Sequence, residues 1–172
     1  MFTPCFFFKR EPTMEELAQK RKIKQVQFLM NLYANEIEKY SKKRHDKLKN
    51  DYMCLSKNEK KEYINFKEYL LQNTLECINQ KKIEDYIKKK NFEEVKNAYE
   101  KISQKPFYDN QGNKTREFLE YILYNIRKEE NAEYFIKTGE PIFNDLGEKN
   151  NEYLEFQAQK AHLLFNNEDD EI

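Results

Sequence analysis

The chain has 172 residues, of which 38% are hydrophobic and 36% charged, so it suits one domain with a thin core and little apolar burial per residue. Basic and acidic residues number 31 each and cancel, which removes any overall charge as a guide to partners. Three cysteines without a CxxC pair speak against a disulfide framework or a zinc site, and the longest apolar run near the start, residues 5–8, is far too short for a membrane span or a secretion signal.

Zero net charge hides an asymmetry. Residues 1–90 hold 21 basic and 13 acidic side chains, leaving 10 and 18 for the remainder, so the two parts carry +8 and −8. Such a dipole can close on itself, order neighbouring copies, or aim the basic end at an acidic surface. Thirteen Phe and twelve Tyr carry much of the apolar surface, and aromatic side chains serve interfaces as well as interiors.

Residues 1–12 form an aromatic and basic head. Phe6, Phe7 and Phe8 precede Lys9, Arg10 and Pro12, and three adjacent phenylalanines are hard to bury on one helix face. They are expected to anchor in a partner, to lie at a membrane interface, or to fold back on the chain's own helices.

Residues 13–105 contain neither Gly nor Pro, so residues 13–106 read as a long-helix region divided only by caps and breaks in periodicity. Thr13 with Glu16 is a capping-box spacing that starts the first helix. Along it Val26, Met30, Tyr33, Ile37 and Tyr40 step by four, three, four and three, the seam of an antiparallel helix pair within a bundle. Lys20, Arg21, Lys22 and Lys24 crowd its first part. They are a candidate electrostatic contact, with a solvated face as the plainer use; anionic membrane and nucleic acid are weaker alternatives, given the scattered acids and few arginines.

Ser56 with Glu59 is a second capping-box spacing, predicting a break near residues 53–56 and a helix to about residue 79. Asn91 with Glu94 signals a further start, and Pro106 an end. The run Tyr86, Phe92, Val95, Tyr99, Ile102 and Pro106 resembles the large-residue skeleton of one tetratricopeptide repeat, a helix hairpin of about 34 residues. Ile83, Val95 and Ile102 stand where that family has Gly or Ala, and no second copy follows at that period, so membership is not assigned. The resemblance implies a peptide-binding groove.

Gly112 marks a turn at residues 109–113 and the best internal boundary, opening a C-terminal helical region, 107–166. Phe118, Leu119, Ile122, Leu123 and Ile126 predict an apolar helix, which either continues through Tyr134, Phe135 and Ile136 or is followed by a short successor, stopping at Gly139. Tyr153, Leu154, Ala158, Ala161, Leu164 and Phe165 predict the last helix, and residues 167–172 an acidic tail.

No constellation for catalysis emerges. There is no Gly-rich phosphate loop and no HExxH; His45 lies among lysines, and His162 beside the last apolar stripe reads as a packing or surface residue. Paired glutamates lack a di-iron Glu-x-x-His partner.

The sequence therefore predicts an all-α protein of five to seven helices, an irregular bundle or elongated hairpins. Its expected role is a non-catalytic structural or accessory subunit of a larger multiprotein assembly, with other subunits as partners. No cofactor, metal or small-molecule substrate is expected. The runner-up is a soluble adaptor holding a peptide or helix in a groove around residues 56–106, or a peripheral membrane-surface protein. The expected compartment is intracellular and reducing, mitochondrial or cytosolic.

Overall fold

The computed structural model describes residues 10–166. They form eight helices and no strand, an all-α fold: α1 (Met14–Leu32), α2 (Ala34–Ser41), α3 (His45–Cys54), α4 (Lys57–Lys60), α5 (Phe66–Lys90), α6 (Phe92–Ser103), α7 (Arg116–Thr138) and α8 (Asn151–Asn166). None of the described helices is long and apolar enough to cross a membrane.

The caps fall where the sequence places them, but not all of them start long helices. The Thr13 hydroxyl accepts from Glu16 N at 3.2 Å while the Glu16 carboxylate accepts from Thr13 N at 3.1 Å, opening α1. The Ser56–Glu59 box is also complete, yet it starts only the single turn α4. The long helix begins nine residues later, where the Asn65 side chain accepts from Glu68 N at 3.1 Å. It then runs to Lys90 without the pause expected near residue 79, because Ile83, Tyr86 and Ile87 continue its apolar face into a second core cluster.

α5 is the spine, packing against α1, α2, α3, α6, α7 and α8. Its first half serves a cluster of Tyr33, Leu71, Ile78, Ala158, Ala161 and Phe165, onto which Val26, Met30 and Ile37 of the heptad stripe pack. That stripe crosses the α1–α2 break at Tyr33 without losing its face. The second half of α5 serves a cluster of Ile83, Val95, Tyr99, Phe118, Ile122 and Ile126 from α5, α6 and α7.

The C-terminal helices contain an internal repeat, which corrects the expectation that the hairpin has no second copy near that period: Tyr99 and Pro106 recur as Tyr134 and Pro141, while the apolar Val95 and Ile102 between them become Glu130 and Lys137 and hide the match. Pro106, Gly112, Lys114, Glu117, Leu119 and Glu120 recur 35 positions later (106 to 141) as Pro141, Gly147, Lys149, Glu152, Leu154 and Glu155. The loops they define make the same bonds. Asp109 N donates to Asn113 O at 2.8 Å and Thr115 N to Phe107 O at 2.8 Å; Asn144 N donates to Glu148 O at 2.8 Å and Asn150 N to Ile142 O at 2.8 Å. Asp109 Oδ1 accepts from the N–H groups of Gln111 and Asn113, and Asn144 Oδ1 from those of Leu146 and Glu148. Gly112 and Gly147 both sit at positive φ, 80° and 76°, where a side chain is disfavoured.

Each loop joins an antiparallel helix pair closed by an aromatic contact at its base. Tyr99 meets Phe118 with ring centroids 5.1 Å apart, and 35 positions on Tyr134 meets Tyr153 at 5.1 Å. Hairpin one is thus α6 with the first half of α7, and hairpin two the second half of α7 with α8. α7 is one helix from Arg116 to Thr138, stopped by Gly139 in the left-handed region.

Candidate functional site

Where α5, α7 and α8 meet, the interior turns polar. Glu130 of α7 and Lys82 of α5 have side chains only 6% and 13% exposed and pair at 2.6 Å. The second Glu130 oxygen accepts from Gln157 Nε2 of α8 at 3.0 Å, and the same amide reaches the Tyr153 hydroxyl at 3.3 Å. Tyr153 in turn donates to Asn131. Burial, and then the Glu130 charge, push the Tyr33 and Tyr153 hydroxyls up to about 12. Burial also holds the Lys149 ammonium below the usual lysine range, with Arg127 and Lys82 repelling it and Glu130 opposing the shift.

The Lys82–Glu130 pair is a partition between two openings. On one side lies a groove of about 490 Å³ among α5, α7 and α8, with Tyr86, Ile126, Leu163 and Leu164 at its floor. Lys89, Lys90 and Asp85 line it from α5, Glu129 and Glu133 from α7 and Lys160 from α8; Lys90 bonds Glu129 at 3.1 Å, Lys89 bonds Asp85 at 2.9 Å, and Lys160 pairs with Glu133. On the other side a pocket of about 250 Å³ opens between α1, α5, α7 and α8, where Tyr33, Asn79, Lys82, Arg127, Lys149 and Gln157 converge.

A second polar contact lies apart from these. His162 of α8 pairs through Nδ1 with Glu36 of α2, which is buried and whose Oε2 has no hydrogen-bond partner. His162 is therefore a partner to a buried carboxylate, more than the packing or surface residue expected from the sequence. Cys54 is exposed and Cys77 half-buried, and neither is in a disulfide among the described residues. No group of three or more His, Cys, Asp or Glu able to hold a metal occurs among the described residues.

The four basic residues singled out in the sequence do not act alike. Arg21 bonds Glu148 at 3.2 Å, and Lys22 reaches Glu68 at 3.7 Å and the Glu62 carbonyl at 3.4 Å. Lys20 and Lys24 remain exposed one helical turn apart. Phe6, Phe7 and Phe8 lie outside the described residues, as does the acidic tail. The charge asymmetry is used in part within the chain, since Arg21, Lys82 and Lys90 pair with Glu148, Glu130 and Glu129.

The polar core has no local signature in the sequence, because Lys82, Glu130 and Gln157 come from three helices and share no local spacing. The 35-residue repeat was the available signal. Hairpin one places the buried Val95 and Ile122 at the positions of Glu130 and Gln157 in hairpin two. No family model, curated protein or solved structure matches the chain.

Proposed function

We propose that the protein is a non-catalytic structural or accessory subunit of a larger assembly, and that hairpin two is its main contact surface. The observation that supports this is the apolar coat of that hairpin: Phe135, Ile136, Leu146 and Leu163 are 62%, 82%, 66% and 64% exposed. Fully burying such a side chain stabilises by about 1.5–3 kcal/mol, so a surface that leaves several of them in water gains most from a partner. The exposed Cys54, in no disulfide among the described residues, fits a reducing intracellular compartment.

The adaptor reading keeps a specific observation of its own. The groove between α5, α7 and α8 has apolar side chains flanked by charged ones of both signs, which suits an amphipathic helix laid along it. It shares residues 82–90 with the region where a groove was expected, but its other wall comes from α7 and α8.

The decisive measurement is the native mass of the tagged endogenous protein after gentle lysis, with mass spectrometry of the band. A large species with fixed companions is expected. Phe135→Ser combined with Leu163→Ser should release the chain from that species while leaving its thermal midpoint unchanged. Migration of the unaltered protein at 21.1 kDa refutes the subunit reading and leaves the groove as the place to seek a ligand.

A further inference from the structure

The two hairpins share a scaffold and differ inside. In hairpin one the paired interior positions are Val95 and Ile122, both buried in an apolar cluster. In hairpin two the equivalent positions are Glu130 and Gln157, hydrogen-bonded to each other and joined by Lys82. Replacing an apolar pair by a buried charge and an amide costs desolvation that a paired lysine only partly returns. Hairpin one demonstrates that the loop and the aromatic base need no such group. The polarity of hairpin two therefore calls for a reason outside folding.

The charges around it point to one. Lys82, Arg127 and Lys149 face the 250 Å³ pocket together with one carboxylate, Glu130. Three cations less one anion leave a charge of +2. The two Glu130 oxygens accept from Lys82 and Gln157, and neither bonds Lys149 or Arg127. Those two make no hydrogen bond or ion pair within the described residues; the half-buried Lys149 instead lies over the Tyr153 ring at 5.7 Å. Its counterpart in hairpin one, Lys114, is exposed. Tyr33 and Asn79 also line the pocket, and a phenol and an amide are neutral donors.

We propose that this pocket binds a small phosphate-bearing anion, inorganic phosphate or a phosphate monoester, with Lys149 and Arg127 as its charged contacts and Tyr33 and Asn79 as hydrogen-bond donors. A phosphate monoester carries about −1.5 to −2 at neutral pH with three acceptor oxygens, which matches the uncompensated charge; a single carboxylate leaves half of it. The guanidinium supplies planar, bidentate recognition and the lysine a point charge. A pocket of this volume takes a small molecule and no folded partner.

The test is calorimetric titration of the full chain with inorganic phosphate and with glycerol phosphate, at low ionic strength and against a chloride control of equal ionic strength. Saturable binding at one site is expected, with Kd at or below about 1 mM. Lys149→Met and Arg127→Gln should each weaken it about tenfold or more, Lys149→Arg should retain it, and Lys20→Gln with Lys24→Gln should leave it unchanged. Without phosphate, Lys149→Met should melt above the unaltered protein, since a poorly solvated ammonium has been removed. Arg127 stands at the exposed rim, so its variant tests the site even if Lys149→Met does not fold. Tighter binding of the ester than of the free anion identifies an organic phosphate as the ligand, and equal binding the phosphate group alone. No saturable heat above the chloride control, or variants that bind as well as the parent, overturns the assignment.

Discussion

Lys82→Met separates a buried ion pair from a solvent-screened one. The Lys82 and Glu130 side chains are 13% and 6% exposed and 2.6 Å apart, and Gln157 alone cannot replace the ammonium. Leaving a buried carboxylate without its cation costs about 3–5 kcal/mol. Against a total stability of about 5–15 kcal/mol, and at about 2–4 °C per kcal/mol for a chain of this size, the thermal midpoint should fall by about 6–20 °C. The counter-variant is written in hairpin one. Lys82→Met, Glu130→Val and Gln157→Ile together rebuild the Val95–Ile122 interior and should recover or exceed the parent's stability, because no buried charge is then left unpaired. Arg127 is exposed and Lys149 half-buried, so solvent limits what they lose with Glu130. Urea unfolding followed by circular dichroism reads both variants. A loss below about 1 kcal/mol for Lys82→Met, the range of exposed ion pairs, or a triple variant no more stable than the single one, refutes the reasoning.

Tyr99→Phe removes a buried hydroxyl that has no hydrogen-bond partner and should be neutral or stabilise by up to about 1 kcal/mol, whereas Tyr153→Phe removes a hydroxyl bonded to Asn131 and Gln157 and should destabilise; chemical unfolding of both checks the contrast. Gly112→Ala and Gly147→Ala place a Cβ at φ of 80° and 76° with no neighbour within 4 Å, so each should cost about 1 kcal/mol through backbone strain alone, equally at the two loops; a cost at one loop only would show that the loops are not equivalent. Hydrogen bonds from Lys160 and then Lys137 hold the Glu133 carboxyl below its ordinary value of 4.5. A depressed folded-state value gives stability that is present above 4.5 and is lost as pH falls through the lowered value, so the stability gap between the parent and Glu133→Gln should close on acidification; a gap constant from pH 7 to pH 3 would refute the linkage.

The helical character was legible wherever it depended on neighbouring residues. Thr13 with Glu16, Asn91, Gly112 and Gly139 act through bonds or dihedrals within a few positions, and each does in the fold what its sequence context predicts. Extents were harder to read, because they depend on distant packing. Ser56 carries a complete cap yet starts one turn, and α5 passes residue 79 because Ile83 meets a cluster built by α6 and α7. The split after Leu32 has no Gly or Pro behind it, and the stripe from Val26 to Ile37 remains on one face across it. The polar core escaped because its members are paired across 48 and 27 positions. Its trace in the sequence is a contrast, visible only after residues 106–120 are aligned with residues 141–155.

That alignment also says what controls the hairpins. Between the two copies the interior changes from Val95 and Ile122 to Glu130 and Gln157, and the residue before the helix from Thr115 to Asn150, yet the loop bonds recur and the aromatic base keeps its 5.1 Å spacing. Ser103 and Thr138 repeat as well, each donating to the carbonyl four residues back and accepting from the N–H two residues on. The crossing of the helices is thus set at the loop and its base, by backbone bonds that tolerate many side chains, and the positions one or two turns further in are left free to vary. Because α7 belongs to both hairpins, the apolar half of that helix, with Phe118 and Ile122 wholly buried, anchors the polar half that carries Glu130. Beside that polar layer, hairpin two keeps apolar packing of its own, with Tyr134 and Tyr153 buried at its base and Ala158, Ala161 and Phe165 in the core cluster with α5, so the buried carboxylate sits between two apolar layers and is held from both sides.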